Sequence, residues 1–335
     1  MTDVSLSVTH AGPLVTIQDS GRRGLARFGV PRSGPMDRNA FDIANLAIGN
    51  SSKATVIEVS AGGLTLDCKS GEASFAVYGG GFNVSVGSQK FSSCRVSRIE
   101  AGQKLVIQPG PSGNWTYLAF AGNIVAKQWL GSAATHSMSG FGGGSVHSGS
   151  TIEVRGADIR DSREGEIPLL VSERPPGEID AVLGPQDRFF AEESIDNLKT
   201  GSFNLTNAFD RMGVRLSGPA LIPSAKLDMP SEPIVRGSIQ VAGDGVATVL
   251  LSDHQTAGGY PKIATVVSDD IDRLVQLRPQ DKLAFNVITA EDALKRIRAR
   301  HNVRVKYIEA VAKGHGSLPF RLLNENLISG VVGEP

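Results

Sequence analysis

Residues 246–267 read Val-Ala-Thr-Val-Leu-Leu-Ser-Asp-His-Gln-Thr-Ala-Gly-Gly-Tyr-Pro-Lys-Ile-Ala-Thr-Val-Val. An apolar run enters this stretch and another leaves it, and both have the composition of β-strands. The connection between them, residues 253–264, carries far more hydrogen-bonding groups than a tight hairpin turn requires. Because loops on rigid scaffolds concentrate binding groups, this connection is the first candidate for a functional site.

The rest of the chain repeats the pattern of short apolar runs separated by turn residues. Glycine is abundant, with 39 in 335 residues, and it falls between these runs instead of forming a periodic repeat. Turns every 8–12 positions or so are typical of antiparallel sandwiches and barrels. We predict strands at 55–59, 74–78, 104–108, 115–120, 168–171, 212–216, 246–251, 263–267 and 283–288.

Three segments have helical spacing of apolar residues. The first, 36–50, starts after Pro35 and places Met36, Ala40, Ile43, Ala44, Ala47 and Ile48 on one face. The second, 269–277, has Ser268 as its predicted N-cap and a stripe of Ile271, Leu274 and Val275. The third, 290–300, has Thr289 and Asp292 at capping-box spacing and Ala293, Leu294 and Ile297 on its apolar face.

A charged stretch at 158–166 and the turn-prone Arg174-Pro-Pro-Gly177 predict a boundary between two lobes of similar size. We therefore divide the chain into an N-terminal lobe at 1–160, a C-terminal lobe at 161–300 and an extension at 301–335. The extension is less regular, and its apolar segment 327–332 is a candidate for an added strand.

Composition excludes several function classes. Lys plus Arg and Asp plus Glu are equal at 34 each, which gives no electrostatic reason to expect a nucleic-acid or membrane partner. No apolar run approaches the ~20 residues of a spanning helix, and the N-terminus lacks the pattern of a signal peptide, so we expect a cytoplasmic protein. In that compartment Cys68 and Cys94 are expected to be buried free thiols. The six histidines show no metal-ligand spacing, so no metal site is predicted.

The N-terminal lobe offers several polar candidates for a site. Gln18 and Arg22 follow a short strand, and Arg22 could bind a carboxylate or instead pair with Asp19. Asp37 opens the first helix, either as a functional group or as an ordinary charge at a helix start. Asn45 lies about two turns along the same face, where it needs a partner or ties a neighbouring strand.

The C-terminal lobe offers two further segments. Arg211 and Arg215 are four apart in a β-type run, so we expect them to share a face and bind an anion, unless they pair with Asp210 or Glu232. Gln240 lies in the middle of a predicted strand, where its amide could contact a ligand or only backbone.

Six ordered motifs resemble the carboxyltransferase A/B-type family. They are Gln-Asp-x-Gly-Arg at 18–22, Gly-Val-Pro-x-Ser-Gly-x-Met-Asp at 29–37, Ala-Asn-x-x-x-Gly-Asn at 44–50, Asp-Arg-Met-Gly-x-Arg-Leu at 210–216, Gly-Ser-Ile-Gln-Val at 237–241 and Asp-x-Gln-Thr-x-Gly-Gly-Tyr-Pro at 253–261. The family includes the C subunit of 5-oxoprolinase, the KipI antagonist KipA, proteins labelled allophanate hydrolase subunit 2 and the corresponding part of urea carboxylase.

The resemblance implies a mostly β fold with two cyclophilin-like β-barrel lobes and a few short helices. It also implies a partner, the KipI-like B subunit of 5-oxoprolinase, together with a possible A subunit, and ATP acting through the complex on a small amide such as 5-oxoproline. Biotin is implied only for the alternative, a urea-type carboxylase component. A third alternative is a non-catalytic binder that sequesters a KipI-like kinase inhibitor.

Site roles are assigned on the motif positions. Asp37, Asp253 and Gln255 are the catalytic candidates. The substrate-binding candidates are Gln18, Arg22, Asn45, Arg211, Arg215, Gln240, Thr256, Gly258, Gly259 and Tyr260. One stretch departs from the family: many members have Gly-Ser-Arg-Ser-Thr where this chain reads Gly131-Ser-Ala-Ala-Thr135, so a guanidinium and a hydroxyl are missing there.

Overall fold

The computed structural model of the chain describes residues 2–170, 174–224 and 229–313. The N-terminal lobe contains thirteen strands and helix α1 (Arg38–Ala47). The strands are β1 (Thr2–Ala11), β2 (Thr16–Gln18), β3 (Val56–Ser60), β4 (Leu64–Ser70), β5 (Glu72–Tyr78), β6 (Gly81–Val86), β7 (Gln89–Ser92), β8 (Arg95–Glu100), β9 (Lys104–Ser112), β10 (Trp115–Phe120), β11 (Asn123–Ile124), β12 (Thr151–Ala157) and β13 (Gly165–Glu166).

Two sheets form this lobe. The seven-stranded sheet has the order β11-β12-β1-β4-β9-β6-β7, and the six-stranded sheet has the order β13-β8-β5-β10-β3-β2. Apolar side chains of both sheets, such as Leu6, Leu66, Phe75 and Leu118, meet in one buried cluster. The lobe is therefore held by a sandwich-type core, with alternate residues of each strand pointing into it.

Strand β3 shows how this core prepares the functional site. All five of its residues are buried. Ile57 and Val59 belong to the cluster between the two sheets, whereas Val56 belongs to the cluster that contains helix α1. Because side chains alternate along a strand, Glu58 points away from the sandwich and toward the second lobe.

The C-terminal lobe is a closed barrel with the strand order β14-β21-β18-β19-β16-β15-β22. Its strands are β14 (Glu178–Leu183), β15 (Phe203–Phe209), β16 (Gly213–Ser217), β18 (Ser238–Val241), β19 (Ala247–Leu250), β21 (Lys262–Val266) and β22 (Lys282–Val287). A small separate ribbon pairs β17 (Glu232–Pro233) with β20 (Ala257–Gly258). The prediction of a mostly β fold is confirmed. Of the two lobes predicted as barrels, this one closes as a barrel, whereas the strands of the N-terminal lobe form two sheets.

Four α-helices lie among the described residues, and only three were predicted. Helix α1 presents the predicted apolar face, all of whose members are buried, and Asp37 is its N-cap. Helix α3 (Ser268–Leu274) buries its predicted stripe, but its N-cap is Val267 and not Ser268. Helix α2 (Glu192–Thr200) escaped prediction because it buries only Ser194 and Leu198 and therefore has almost no apolar stripe.

Helix α4 runs over Ala290–Lys313, so it extends thirteen residues beyond the predicted end. Thr289 caps it as expected, by accepting a hydrogen bond from the Asp292 amide at 3.1 Å. Leu294 was placed on its buried face but is 54% exposed. The helix is held mainly by charge: Arg296 and Arg300 reach the fully buried Asp180 at 2.7 and 2.8 Å.

The far end of α4 packs on α1 and so ties the extension to the N-terminal lobe. Arg304 pairs with Asp42 of α1, and the Arg163 guanidinium donates to the Ala312 carbonyl at 2.8 Å. Val311 is buried in the same cluster as the face of α1. The chain that was expected to be irregular after 301 is thus helical as far as Lys313.

Some other predictions are only partly confirmed or wrong, and some concern residues outside the described ranges. The two cysteines are free thiols, with Cys68 buried and Cys94 half-buried. Residues 168–170 form no strand, and residue 171 and the segment 327–332 lie outside the described residues. No helix in the described ranges is long and apolar enough to cross a membrane.

Val311→Asp tests whether the end of α4 is part of the folded core. Val311 is 5% exposed and Val303, on the same helix, is 61% exposed. Placing an unpaired carboxylate at the buried position should lower the free energy of unfolding by about 2–4 kcal/mol. Val303→Asp is the matched control and should change it by less than about 1 kcal/mol. Urea denaturation of both variants provides the measurement, and equal effects would contradict the docking of α4.

Candidate functional site

The candidate site lies where the two lobes meet, around the segment Gly34–Asn39 that leads into α1. Side chains of the C-terminal lobe form hydrogen bonds with the backbone of this segment. The Arg211 guanidinium donates to the Gly34 carbonyl at 2.6 Å, and the Ser252 hydroxyl donates to the Pro35 carbonyl at 2.9 Å. Asp272 accepts from the amides of Arg38 and Asn39 at 3.1 and 3.3 Å. The start of α1 is therefore positioned by the second lobe.

Arg211 is the centre of this junction. Its side chain is 0% exposed, as are those of its two partners, Glu58 from β3 and Asp253 from the loop after β19. The guanidinium binds Asp253 through two donors at 2.9 and 3.1 Å and also pairs with Glu58. A buried charge of this kind is tolerated only when its donors are paired in this way.

The charges of this network reinforce one another. Burial alone would lower the pKa of Arg211, but the Asp253 and Glu58 carboxylates outweigh burial and raise it. Burial would raise the pKa of Asp253, yet Arg211 and two hydrogen bonds from Ser137 hold it below its usual value. The ionised form of Asp253 is thus favoured by its partners, and the prediction that it is catalytic gains no support from this geometry.

Asp37 lies in the same junction in a different electrostatic state. One carboxylate oxygen accepts from the Ala40 amide at 2.9 Å as an N-cap, and the other accepts from the Gln276 side chain at 2.8 Å. Burial and the nearby carboxylate of Asp272 raise its pKa to about 7. A carboxyl group that titrates near neutral pH can take up or release a proton, which general acid–base chemistry requires.

Arg236 stands beside Asp37 and is incompletely paired. Its side chain is 7% exposed, it donates through Nη2 to the Met36 carbonyl, and it lies 3.6 Å from Asp272. Its Nε and Nη1 atoms have no hydrogen-bond acceptor among the described residues. Leaving buried donors unsatisfied costs about 1–3 kcal/mol per group. Burial, with the neighbouring charge of Arg38, lowers the pKa of Arg236 to about 10.

Charges of both signs surround Arg236, namely Arg38 and the carboxylates of Asp272 and Asp37. After the larger effect of burial, the charges of Arg23 and Arg236 lower the pKa of Arg32, and the charge of Arg32 lowers the pKa of Arg38. Burial lowers the pKa of His254, and the charges of Arg236 and Arg38 add to this effect, which favours the neutral imidazole.

The loop that follows Asp253 brings two amide side chains together. A Cβ atom added to Gly258 would lie 2.7 Å from the Gln255 amide nitrogen and 3.3 Å from that of Gln240. A side chain at position 258 would therefore displace these two amide groups. Gln240 is buried and makes one long contact, 3.5 Å, to the Tyr260 carbonyl, whereas Gln255 is exposed. Both amides are available to a ligand.

The remaining predicted residues of this loop contribute mainly through the backbone. The Thr256 carbonyl accepts from the Ile234 amide at 3.0 Å, which closes the β17–β20 ribbon. An added Cβ at Gly259 would lie 3.2 Å from the Met229 carbonyl. Tyr260 is 48% exposed.

Gln18 and Arg22 dock onto the loop that contains the family departure. The Gln18 amide donates to the Thr135 carbonyl at 3.1 Å, and its Oε1 atom is buried without a donor among the described residues. Arg22 donates to the carbonyls of Trp129 and Ala134 and lies 4.7 Å from the Trp129 ring centroid. The expected alternative, an Arg22–Asp19 pair, does not form; Asp19 instead accepts from Ser132 and Ala133.

Two candidates lie apart from the junction. Asn45 donates to the Ala54 carbonyl at 3.0 Å, so it ties a loop of the first lobe. Arg215 pairs at 2.8 Å with Asp244 and is 50% exposed, whereas Arg211 is fully buried. The prediction that the two arginines share a face is wrong because Arg211 lies in the turn before β16 (Gly213–Ser217), where strand alternation does not apply. Neither arginine pairs with Asp210 or Glu232.

Sequence reasoning missed the partners that complete the junction: Glu58, Tyr117, Arg236, Asp272 and Gln276. Glu58 carried a usable signal, since a lone acid inside the apolar run 55–59 has to be satisfied if it is buried. The Tyr117 hydroxyl donates to Glu58 at 2.8 Å and accepts from the Asp37 amide at 2.7 Å. These hydrogen bonds join residues distant in sequence, so a local sequence pattern cannot predict which residues pair.

A metal centre finds no support in the described part of the chain. There, no group of three or more His, Cys, Asp or Glu side chains is arranged to hold an ion.

Known proteins resemble this chain in sequence and in fold. The family model described as carboxyltransferase domain, subdomain A and B, matches residues 28–287. The C subunit of 5-oxoprolinase from Escherichia coli (strain K12) is 32% identical over 96% of this chain and 100% of its own length. A urea amidolyase of Saccharomyces cerevisiae is 26% identical over 91% of this chain but only 18% of its own length.

Among solved structures, the urea amidolyase of K. lactis matches with a TM-score of 0.81 and 24% identity, covering 92% of this chain and 20% of that one. At this identity the match supports the fold alone. The arrangement of the two lobes is thus shared with a much longer protein.

Arg211→Met tests the central ion pair. Removal of the guanidinium leaves Glu58 and Asp253 buried without their cation, so the free energy of unfolding should fall by about 3–5 kcal/mol. Arg215→Met, at a half-exposed pair in the same lobe, is the control and should change it by about 1 kcal/mol or less. Guanidinium denaturation gives both values. Similar small losses would show that Arg211 does not hold the lobes together.

Asp37→Asn tests the raised pKa of Asp37. The folded protein holds the Asp37 proton more tightly than the unfolded chain does, so this group stabilises the fold fully below about pH 4 and loses that contribution as the pH rises toward 7. Asparagine is an equally good N-cap but cannot titrate. Between pH 5 and pH 8 the Tm of the wild type should therefore fall relative to that of the variant. Parallel curves would contradict the shift.

Proposed function

Because the chain belongs to the family of carboxyltransferase domains with subdomains A and B, we propose that it is one component of a cytoplasmic, ATP-dependent, amide-hydrolysing complex of the 5-oxoprolinase type. In this proposal the complex opens the lactam of 5-oxoproline to glutamate and also contains the KipI-like B subunit and the A subunit. The chain aligns with the whole of a 5-oxoprolinase C subunit, whereas it covers less than a fifth of a urea amidolyase. That difference in coverage supports the assignment to 5-oxoprolinase.

The observation that carries the choice of substrate is the incompletely paired guanidinium of Arg236. Its Nε and Nη1 donors are buried without an acceptor among the described residues, and the charge of Arg38 acts on the same group. 5-Oxoproline carries a carboxylate at neutral pH, whereas urea is uncharged. A site with unpaired positive charge favours an anionic ligand, which supports 5-oxoproline over urea.

The other groups at the junction suit an amide. Gln240 and Gln255 each carry both a donor and an acceptor, so together they can match the N–H and the carbonyl of a lactam. Asp37, with a pKa near 7, is our candidate for moving a proton during attack of water on the lactam carbonyl. ATP and its phosphoryl chemistry are assigned to the partner proteins, because the sequence contains no Gly-Lys-Ser/Thr phosphate loop.

Co-expression with a KipI-like B subunit and an A subunit of the 5-oxoprolinase type tests the proposal. The purified complex should release ADP only when 5-oxoproline is present and should form glutamate in equal amount. Biotin-dependent carboxylation of urea would instead assign the chain to a carboxylase. Tight binding to the KipI-like protein, with no turnover of any small amide, would identify a regulatory binder.

Gln255→Ala separates substrate recognition from folding within that complex. Gln255 is exposed, so its loss should leave the thermal stability unchanged. Removing one hydrogen bond to the lactam should lower turnover by about tenfold. Arg215→Ala, in the same lobe, is the control and should retain full activity. Equal activity of both variants would remove Gln255 from the site.

A further inference from the structure

Arg236 is a part of the junction whose state in the structure calls for a ligand. Its side chain is more than nine-tenths buried, and its Nε and Nη1 donors meet no acceptor among the described residues. Arg211, buried to the same degree in the same lobe, binds two carboxylates and a carbonyl. Since buried guanidinium donors are normally satisfied, the contrast marks Arg236 as the group with spare binding capacity.

The surroundings of Arg236 fix the sign of the ligand. Asp272, 3.6 Å away, is the carboxylate paired with it, and Asp272 is already engaged by the amides of Arg38 and Asn39. The charge of Arg38 adds to the positive charge at Arg236. An anion at this point would satisfy the free donors and reduce the repulsion among the cations, whereas a neutral ligand would do only the first.

The backbone contact of Arg236 fixes where the ligand would lie. The guanidinium donates to the carbonyl of Met36, the residue before Asp37. The group that titrates near neutral pH is therefore next to the anion site. A small molecule with a carboxylate on Arg236 would have the rest of its structure within the junction that Asp37 borders.

We propose that Arg236, assisted by Arg38, binds the carboxylate of a small anionic substrate. The assignment of that substrate as 5-oxoproline rests on the proposed function; the existence of a carboxylate site does not. Arg236 takes over the role that sequence reasoning gave to Arg211 and Arg215, both of which are occupied by partners within the protein. Arg236 is a binding residue and takes no part in bond breaking.

Calorimetric titration of the full chain at low salt tests the site with two matched probes. 5-Oxoproline carries the carboxylate, and 2-pyrrolidinone is the same lactam ring without it. The wild type should bind 5-oxoproline at least tenfold more tightly than 2-pyrrolidinone. Arg236→Gln should remove that difference by weakening 5-oxoproline binding tenfold or more, while Arg215→Gln should leave it intact. Far-UV circular dichroism and Tm check that each variant is folded.

Two results would overturn the site. One is equal binding of the two probes by the wild type, including no binding of either; the other is unchanged 5-oxoproline binding by folded Arg236→Gln. If that variant fails to fold, Arg38→Gln, whose side chain is half-buried, takes its place and should weaken binding of the carboxylate selectively.

The failure of this site and the failure of the proposed function are distinguishable. Titration with propionate, a carboxylate without a lactam, should show binding that depends on Arg236 whatever the natural substrate is. If propionate binds in this way and the complex shows no ADP release with 5-oxoproline, the carboxylate site is supported and the proposed function is contradicted. If the complex is active and Arg236→Gln leaves its KM for 5-oxoproline unchanged, the proposed function is supported and the carboxylate site is contradicted.

Discussion

The contact of Arg211 with Glu58 and Asp253 is the constraint on which the rest of the junction depends. It takes one carboxylate from a strand of the first lobe and another from a loop of the second, with no solvent exposure on any of the three side chains. Such a network adds little net stability compared with apolar packing, but loss of one member leaves the others unpaired in a medium that solvates them poorly. Its effect is to permit one relative placement of the lobes.

The relative placement of the lobes determines which side chains at the junction remain able to bind a ligand or exchange a proton. With Arg211 fully paired, Glu58 also receives the Met36 amide and the Tyr117 hydroxyl, and this fixes the start of α1. The same start carries Asp37, whose burial beside Asp272 shifts its pKa toward neutrality. Arg236 is then held against the Met36 carbonyl with donors to spare. Arg211 thus has all its charge partners within the protein, whereas Arg236, in the same lobe, keeps two donors without an acceptor among the described residues.

Local sequence patterns predicted most of the elements but little of the junction. The alternation of strands, the face of α1 and the cap at Thr289 depend on residues close in sequence, and these predictions agree with the structure. Helix α2 and the second half of α4 have weak apolar stripes and are held by single buried residues or by ion pairs, which periodicity cannot detect. Asp37, Arg211 and Asp253 were recognised as unusual, but whether each serves structure or chemistry depends on partners from the other lobe. Arg236 was overlooked because its distinguishing property is that two of its buried donors have no acceptor among the described residues, which only a three-dimensional arrangement reveals.

The sharing of one charge network by both lobes also limits how such a protein can be rebuilt or can diverge. A lobe joined to a partner lobe without the matching residue would bring one part of the network without the other, so such a chimera would leave buried charges unpaired. Substitution at position 58, 211 or 253 alone meets the same barrier. We therefore expect residues 58, 211 and 253 to change together, whereas an exposed residue of the loop such as Gln255 can change alone as substrates change.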